Sequence, residues 1–196
     1  MKYIKEYNEY VDPFNEDDWD EVKPIEPDGK FLTWLKVNHP DKSKWKNITY
    51  INCSCQKLTD LIGIDKLINL EILYCNHNEL TELDLSKNIE LIYLFCYNNQ
   101  LTELDLIKNI KLNILSCFVN QLTELDVTKN INLIYLYCTN NHLTELDLNK
   151  NIELIELYCS NNKLTELDLS KNINLKDLYY HHNQLTNIDL SKNILL

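Results

Sequence analysis

A phrase of 21 residues repeats along most of the chain, and a fixed period of that length leaves few folds open. It is clearest from Leu133 to Leu148: Leu-Ile-Tyr-Leu-Tyr-Cys-Thr-Asn-Asn-His-Leu-Thr-Glu-Leu-Asp-Leu. Copies begin at Leu70, Leu91, Leu112, Leu133, Leu154 and Leu175, and Leu196 stands where a further one would start. One such unit is too short to bury its own apolar side, so successive units must stack and cover one another, which makes a solenoid. Within each copy, apolar and polar residues alternate as they do along a half-buried strand, so Leu136 and Cys138 point inward while Tyr135 and Tyr137 point outward.

The register of Leu133, Leu136, Cys138, Asn141 and Leu143, with its counterparts in the other copies, resembles the leucine-rich repeat family, here with Cys in the third apolar place. The resemblance implies that Asn78, Asn99, Asn120, Asn141, Asn162 and Asn183 form a buried ladder of amides that satisfy backbone groups where each rung turns. The second half of each unit, as in Leu164 to Asn172, alternates again and reads as a second short strand on the far side of the coil. Nested halves with a recurring cysteine are similar to the 21-residue repeat class of the internalin J type, found in bacterial and giant-virus proteins. The expected fold class is therefore an α/β leucine-rich repeat solenoid. It is β-rich and right-handed, with a parallel sheet on the concave face and a second, short-strand sheet on the convex face.

The 196 residues suit one continuous core, with 44% of them hydrophobic. With only two glycines, Asn is expected to fill the turn positions that need a left-handed backbone. A formal charge of -11 argues against nucleic acid or an anionic membrane as partner. The start, Met1 to Tyr10, carries charges throughout and has no apolar run of secretory length, and no stretch is long enough to span a membrane. The expected location is the cytoplasm, whereas the internalin resemblance implies secretion and wall anchoring.

Seven cysteines cannot all pair, and Cys75, Cys96, Cys117, Cys138 and Cys159 recur once per rung at a core position. Side chains that point the same way from parallel strands are badly placed for a disulfide. They read as small buried apolar groups with free thiols, in keeping with a reducing compartment. Cys53 and Cys55, two apart on the first strand, are expected to face one side. No cofactor or metal is implied, because a line of sulfurs is not a tetrahedral cluster.

Residues 1–47 stand outside the repeat and 48–196 form the solenoid. Tyr10 to Pro27 is acidic and broken by Pro13, Pro24 and Pro27, an extended arm or irregular cap in which Asp12-Pro13-Phe14 could serve as peptide bait. Lys30 to Asn38 reads as a short helix, and Phe31, Trp34, Leu35 and Trp45 as a hydrophobic lid on the first rung. That rung is one residue longer than the rest, with Gln56 and Gly63 in place of Asn and Leu, and its outer side is expected to carry a helical turn.

Function is expected where an otherwise repeated surface varies. Tyr74, Phe95, Ser116, Tyr137, Tyr158 and Tyr179 form one outward column, with Tyr93 and Tyr135 in the next and Tyr97 and Phe118 just beyond the strands. A rigid ring contributes contact area at small entropy cost, so these rings are the candidate surface for another protein or peptide. The structural alternative is that stacked rings simply stabilise the sheet. The opposite side carries a Glu and an Asp per rung, with a Lys three residues after each Asp. A carbohydrate-binding or calcium-stabilised adhesin is the second functional reading. His39, His77, His142, His181 and His182 show no metal-ligand spacing, and no catalytic constellation appears, so an enzyme is not expected. The last rung, with Leu185, Ile188, Leu190 and Ile194, has no polar cap, so either the terminus folds over it, or two chains meet there, or the protein continues; a tail-to-tail homodimer is the expectation.

Overall fold

Outward and inward residues sort as the alternation requires, in seven strands of three residues each. The computed structural model describes residues 30–196, and the acidic arm with Asp12-Pro13-Phe14 lies outside the described residues. The strands are β1 (Tyr50–Asn52), β2 (Ile72–Tyr74), β3 (Tyr93–Phe95), β4 (Ile114–Ser116), β5 (Tyr135–Tyr137), β6 (Glu156–Tyr158) and β7 (Asp177–Tyr179). Each pairs in parallel with the next, so sheet order equals chain order. The register keeps like positions level: Ile51, Leu73, Leu94, Leu115, Leu136, Leu157 and Leu178 lie in one row. All but Leu178 are buried, inside a core that runs the length of the coil.

Two ladders of asparagine hold the rungs together. In the expected one, the Asn99 Nδ2 donates to the Cys75 and Cys96 carbonyls at 3.0 Å each, and its Oδ1 accepts from the Leu80 N–H at 3.1 Å. The same three partners recur at Asn120, Asn141 and Asn162. The second ladder is Asn88, Asn109, Asn130, Asn151, Asn172 and Asn193, all buried. The Asn109 Nδ2 donates to the Leu85 carbonyl at 3.2 Å and to the Asn88 carbonyl at 2.8 Å, so each Asn bonds the backbone of the one before it.

The convex side departs from expectation. Leu80, Leu83 and Leu85 are buried and their polar neighbours exposed, yet the described residues form one sheet and no second. Consecutive convex segments share a backbone bond at their start, such as Gln100 N–H to the Leu80 carbonyl at 2.8 Å. The Asp side chain then bends the chain away: Asp84 Oδ1 accepts from the Ser86 N–H at 2.9 Å, a turn repeated at Asp105, Asp126, Asp147, Asp168 and Asp189. A carboxylate that takes a backbone donor two residues on removes it from any ladder.

The left-handed positions also differ. One falls in every rung, at His77, Asn98, Val119, Asn140, Asn161 and His182, so Asn fills only half of these six. Cys55 and Lys57 adopt the same conformation after β1. This turn separates Cys53, which is buried, from Cys55, which is exposed; the two do not face one side because β1 ends at Asn52. Cys53 instead lies level with Cys75, making a ladder of six buried sulfurs, and all seven thiols are free.

At the N-terminal end, α1 (Phe31–Asn38) and a 3-10 helix (Lys42–Asn47) bring Phe31, Trp34, Leu35 and Trp45 onto the first rung, where they are buried in the same core. Trp45 Nε1 donates to the His39 carbonyl at 2.7 Å, which ties the two helices together. The first rung carries the expected helical turn, a 3-10 segment at Ile64–Lys66 entered through Gly63 at φ 106. A Cβ there would lie 3.0 Å from Leu32 Cδ1, beneath the lid.

Candidate protein-binding surface

The outward positions of the seven strands form three columns. The register puts Tyr74, Phe95, Ser116, Tyr137, Tyr158 and Tyr179 in one, and Ile72, Tyr93, Ile114, Tyr135, Glu156 and Asp177 in another. Tyr97 and Phe118 come from the third, two residues past the strands. Together they build a hydrophobic cluster on the outside of the sheet. Tyr97, Phe118 and Tyr137 lie at its centre, with Phe95, Ile114, Tyr135 and Tyr158 packed round them.

The rings are more enclosed than an open carpet. Tyr97 is 4% exposed, Phe118 8% and Tyr137 6%, whereas Tyr74, Tyr93, Phe95, Tyr135 and Tyr158 are half-buried and Tyr179 is 47% exposed. The cause is stacking along the coil: Tyr74 lies on Phe95 with centroids 4.4 Å apart, and Tyr97 on Phe118 with centroids 4.2 Å apart, each pair nearly parallel. Further on, Tyr137 meets Tyr158 edge to face at 4.9 Å, and Tyr158 meets Tyr179 at 4.5 Å. Ser116 is the gap in its column and is fully covered.

A polar contact anchors the cluster. The Tyr137 hydroxyl donates to Glu156 Oε2 at 2.7 Å, and both residues are buried. Burial, then the Glu156 charge and Tyr93, push the Tyr135 hydroxyl above the usual tyrosine range. A phenol paired with a carboxylate inside an apolar patch fixes the orientation of its ring.

The large hollow of the molecule lies on the other side. A trough of about 1620 Å³ runs from Asp60 to Lys192, walled by the Glu82, Glu103, Glu124, Glu145 and Glu166 row and the Asp84 to Asp189 row, with Leu83 and its equivalents between them. Among the described residues no three acidic, His or Cys side chains gather around one point. The Ser or Thr hydrogen bonds first, and then the following lysine, hold Asp84, Asp126, Asp168 and Asp189 below the usual carboxylate range, and no lysine of this row makes an ion pair with the Asp before it. Burial lowers His39, while His181 and His182 are exposed.

The seven-stranded parallel coil, its leucine rows, its Asn ladder and its sulfur column define a leucine-rich repeat protein. In its 21-residue units and cysteine ladder the chain is similar to the internalin J-like class of leucine-rich repeat proteins. Among solved structures it is similar to the functional domain of InlJ from Listeria monocytogenes, which includes a cysteine ladder. The two share 40% identity over 79% of this chain and 39% of that one, with a TM-score of 0.69. It is also similar in fold to a leucine-rich repeat protein of Leptospira interrogans, with a TM-score of 0.72, 24% identity, and coverage of 77% of this chain and 42% of that one. The internalin InlF of Listeria monocytogenes matches with a TM-score of 0.63, 22% identity, and coverage of 75% and 52%. The chain thus spans 39% and 42% of the first two. No protein-family model matches the chain, and no curated protein does.

Proposed function

We propose that this solenoid is a non-enzymatic module that binds another protein or peptide through its strand face. The observation that carries the reading is the hydrophobic cluster outside the sheet, separate from the leucine core. Its central rings, Tyr97, Phe118 and Tyr137, are a packed underlay, and the more accessible rings on and around it, Tyr74, Tyr93, Phe95, Tyr135, Tyr158 and Tyr179, are the contact surface. An apolar patch held rigid on a sheet is what interface anchors require. Structural likeness to internalins supports a binding module and names no partner. The six buried free thiols support a reducing compartment such as the cytoplasm as its setting.

A sugar needs the face of an aromatic ring, and here ring faces are turned on one another, so the lectin-type alternative is the weaker one. The test compares Tyr93→Ala/Tyr135→Ala/Tyr158→Ala with the natural chain as baits for partner capture. The proposal expects retained protein to be lost from the variant while its circular dichroism spectrum shows that it is still folded, at a lowered melting temperature. An identical retained set for both baits would overturn it.

A further inference from the structure

The same period builds a second apolar feature away from the strands. Ile68, Ile89, Ile110, Ile131, Ile152 and Ile173 recur once per rung, and each is 48–53% exposed. Spaced by about 4.8 Å per rung, they form a stripe on the order of 24 Å long, more than scattered surface residues would make. Two residues before each stands an exposed lysine; Lys66 pairs with Asp65, and Lys87, Lys108, Lys129, Lys150 and Lys171 form no ion pair among the described residues. The edge is therefore a ridge, basic along one line and apolar along the next.

The trough beside it has the opposite character. Its walls are the Glu and Asp rows and its floor is leucine, with Lys108 and Lys192 of the ridge reaching its rim. Because both features come from one repeat, ridge and trough have the same pitch and the same length in rungs. A basic and apolar ridge fits an acidic trough with an apolar floor, rung for rung.

We propose that the lysine-isoleucine ridge of one copy seats in the acidic trough of a second copy, the two coils lying side by side and parallel. Ridge and trough are neighbours on each rung, since Asp84 and Lys87 are three residues apart. A two-fold axis along the coil reverses their order across the contact, so each copy gives its ridge and receives its partner's. That contact is closed and reciprocal, and it stops at a dimer. It leaves the strand face free, so it is independent of the binding surface proposed above.

Charge exchange tests it. Lys108→Glu/Lys129→Glu/Lys150→Glu makes the ridge acidic, and Glu103→Lys/Glu124→Lys/Glu145→Lys makes the trough basic; none of these side chains holds a turn or a core contact. Light scattering over a dilution series is expected to show a dimer for the natural chain, a monomer for each triple variant, and a dimer again when the two variants are mixed. Ile110→Lys/Ile131→Lys, at exposed positions, should also be monomeric with an unchanged circular dichroism spectrum. The proposal is overturned if the natural chain is monomeric throughout or if the mixture stays monomeric while both variants are folded. It is overturned equally if association survives both triple variants, which would locate the contact elsewhere, such as the end rung.

Discussion

The Asn120 amide donates to the Cys96 and Cys117 carbonyls at 3.1 and 3.0 Å and accepts from the Leu101 N–H at 3.0 Å, so one side chain fixes backbone in two rungs. Leucine there would be similar in size, would leave the Leu101 N–H buried without its partner, and would take one of two amide donors from each carbonyl, since Asn99 also bonds Cys96 and Asn141 also bonds Cys117. At about 1–3 kcal/mol for the orphaned N–H, with a smaller loss at the two carbonyls, Asn120→Leu is expected to cost on the order of 2–3 kcal/mol, read from denaturant midpoints. Its neighbour Val119 shows the reverse. A β-branched residue at φ 52 is strained, and equivalent positions hold Asn98, Asn140 and Asn161 in the same conformation. Val119 is also exposed, so little packing offsets the strain. Val119→Asn is expected to stabilise the fold by about 1 kcal/mol, seen as a higher unfolding midpoint; a lower one would mean that Val119 makes a contact worth more than its strain.

At the scale of the element, the sulfur column makes the fold sensitive to alkali. Burial pushes every ladder thiol above the ordinary value of 9.0; Cys159 is pushed up to about 12, and Cys75, Cys96, Cys117 and Cys138 are raised well above the usual range, with neighbouring sulfurs adding to the effect. Below the unfolded value both states keep their protons and the thiols contribute no pH dependence. As pH rises past it, the unfolded chain ionises while the native one does not, so stability falls from about pH 9 upward until the native thiols themselves ionise. Each thiol should cost about 1–2 kcal/mol by about pH 10, and the six together should bring the denaturant midpoint down steeply. Cys138→Ala should flatten that fall in proportion; an unchanged slope would show that the thiols are not the cause.

Much of this was legible beforehand, for reasons that differ by element. The period placed the strands, the Asn78 to Asn183 ladder and the cysteine row, because a repeated register repeats its burial. The breaks in the period at Gln56 and Gly63 marked the 3-10 turn, and Phe31, Trp34 and Leu35 at helical spacing marked the lid. The second sheet was misread because alternation reports burial, which Leu80, Leu83 and Leu85 satisfy, and says nothing of whether neighbouring backbones pair. The enclosure of Tyr97, Phe118 and Tyr137 depends on how rings from different rungs tilt, which no single rung encodes. The second Asn ladder and the exposed Ile column were missed although Asn-Ile recurs every 21 residues. Asn88 and Ile89 follow a Lys in a run that reads as plain turn, and nothing local tells a buried Asn from a solvated one.

At the scale of the molecule, each rung contacts its neighbours alone, and the whole is a column of like layers closed at one end by α1 and the 3-10 helix. Inside are leucines, amides and sulfurs; outside are an aromatic face and, opposite, an acidic trough. Every functional statement depends on that sorting, because a shift of one residue in a strand would exchange the two faces. Counting thiols that react with a bulky reagent tests the register most directly. In the native protein one of the seven, Cys55, should react promptly, and all seven should react once the chain is unfolded. Prompt reaction of the ladder thiols in the native protein, at the rate seen for the unfolded chain, would contradict the account.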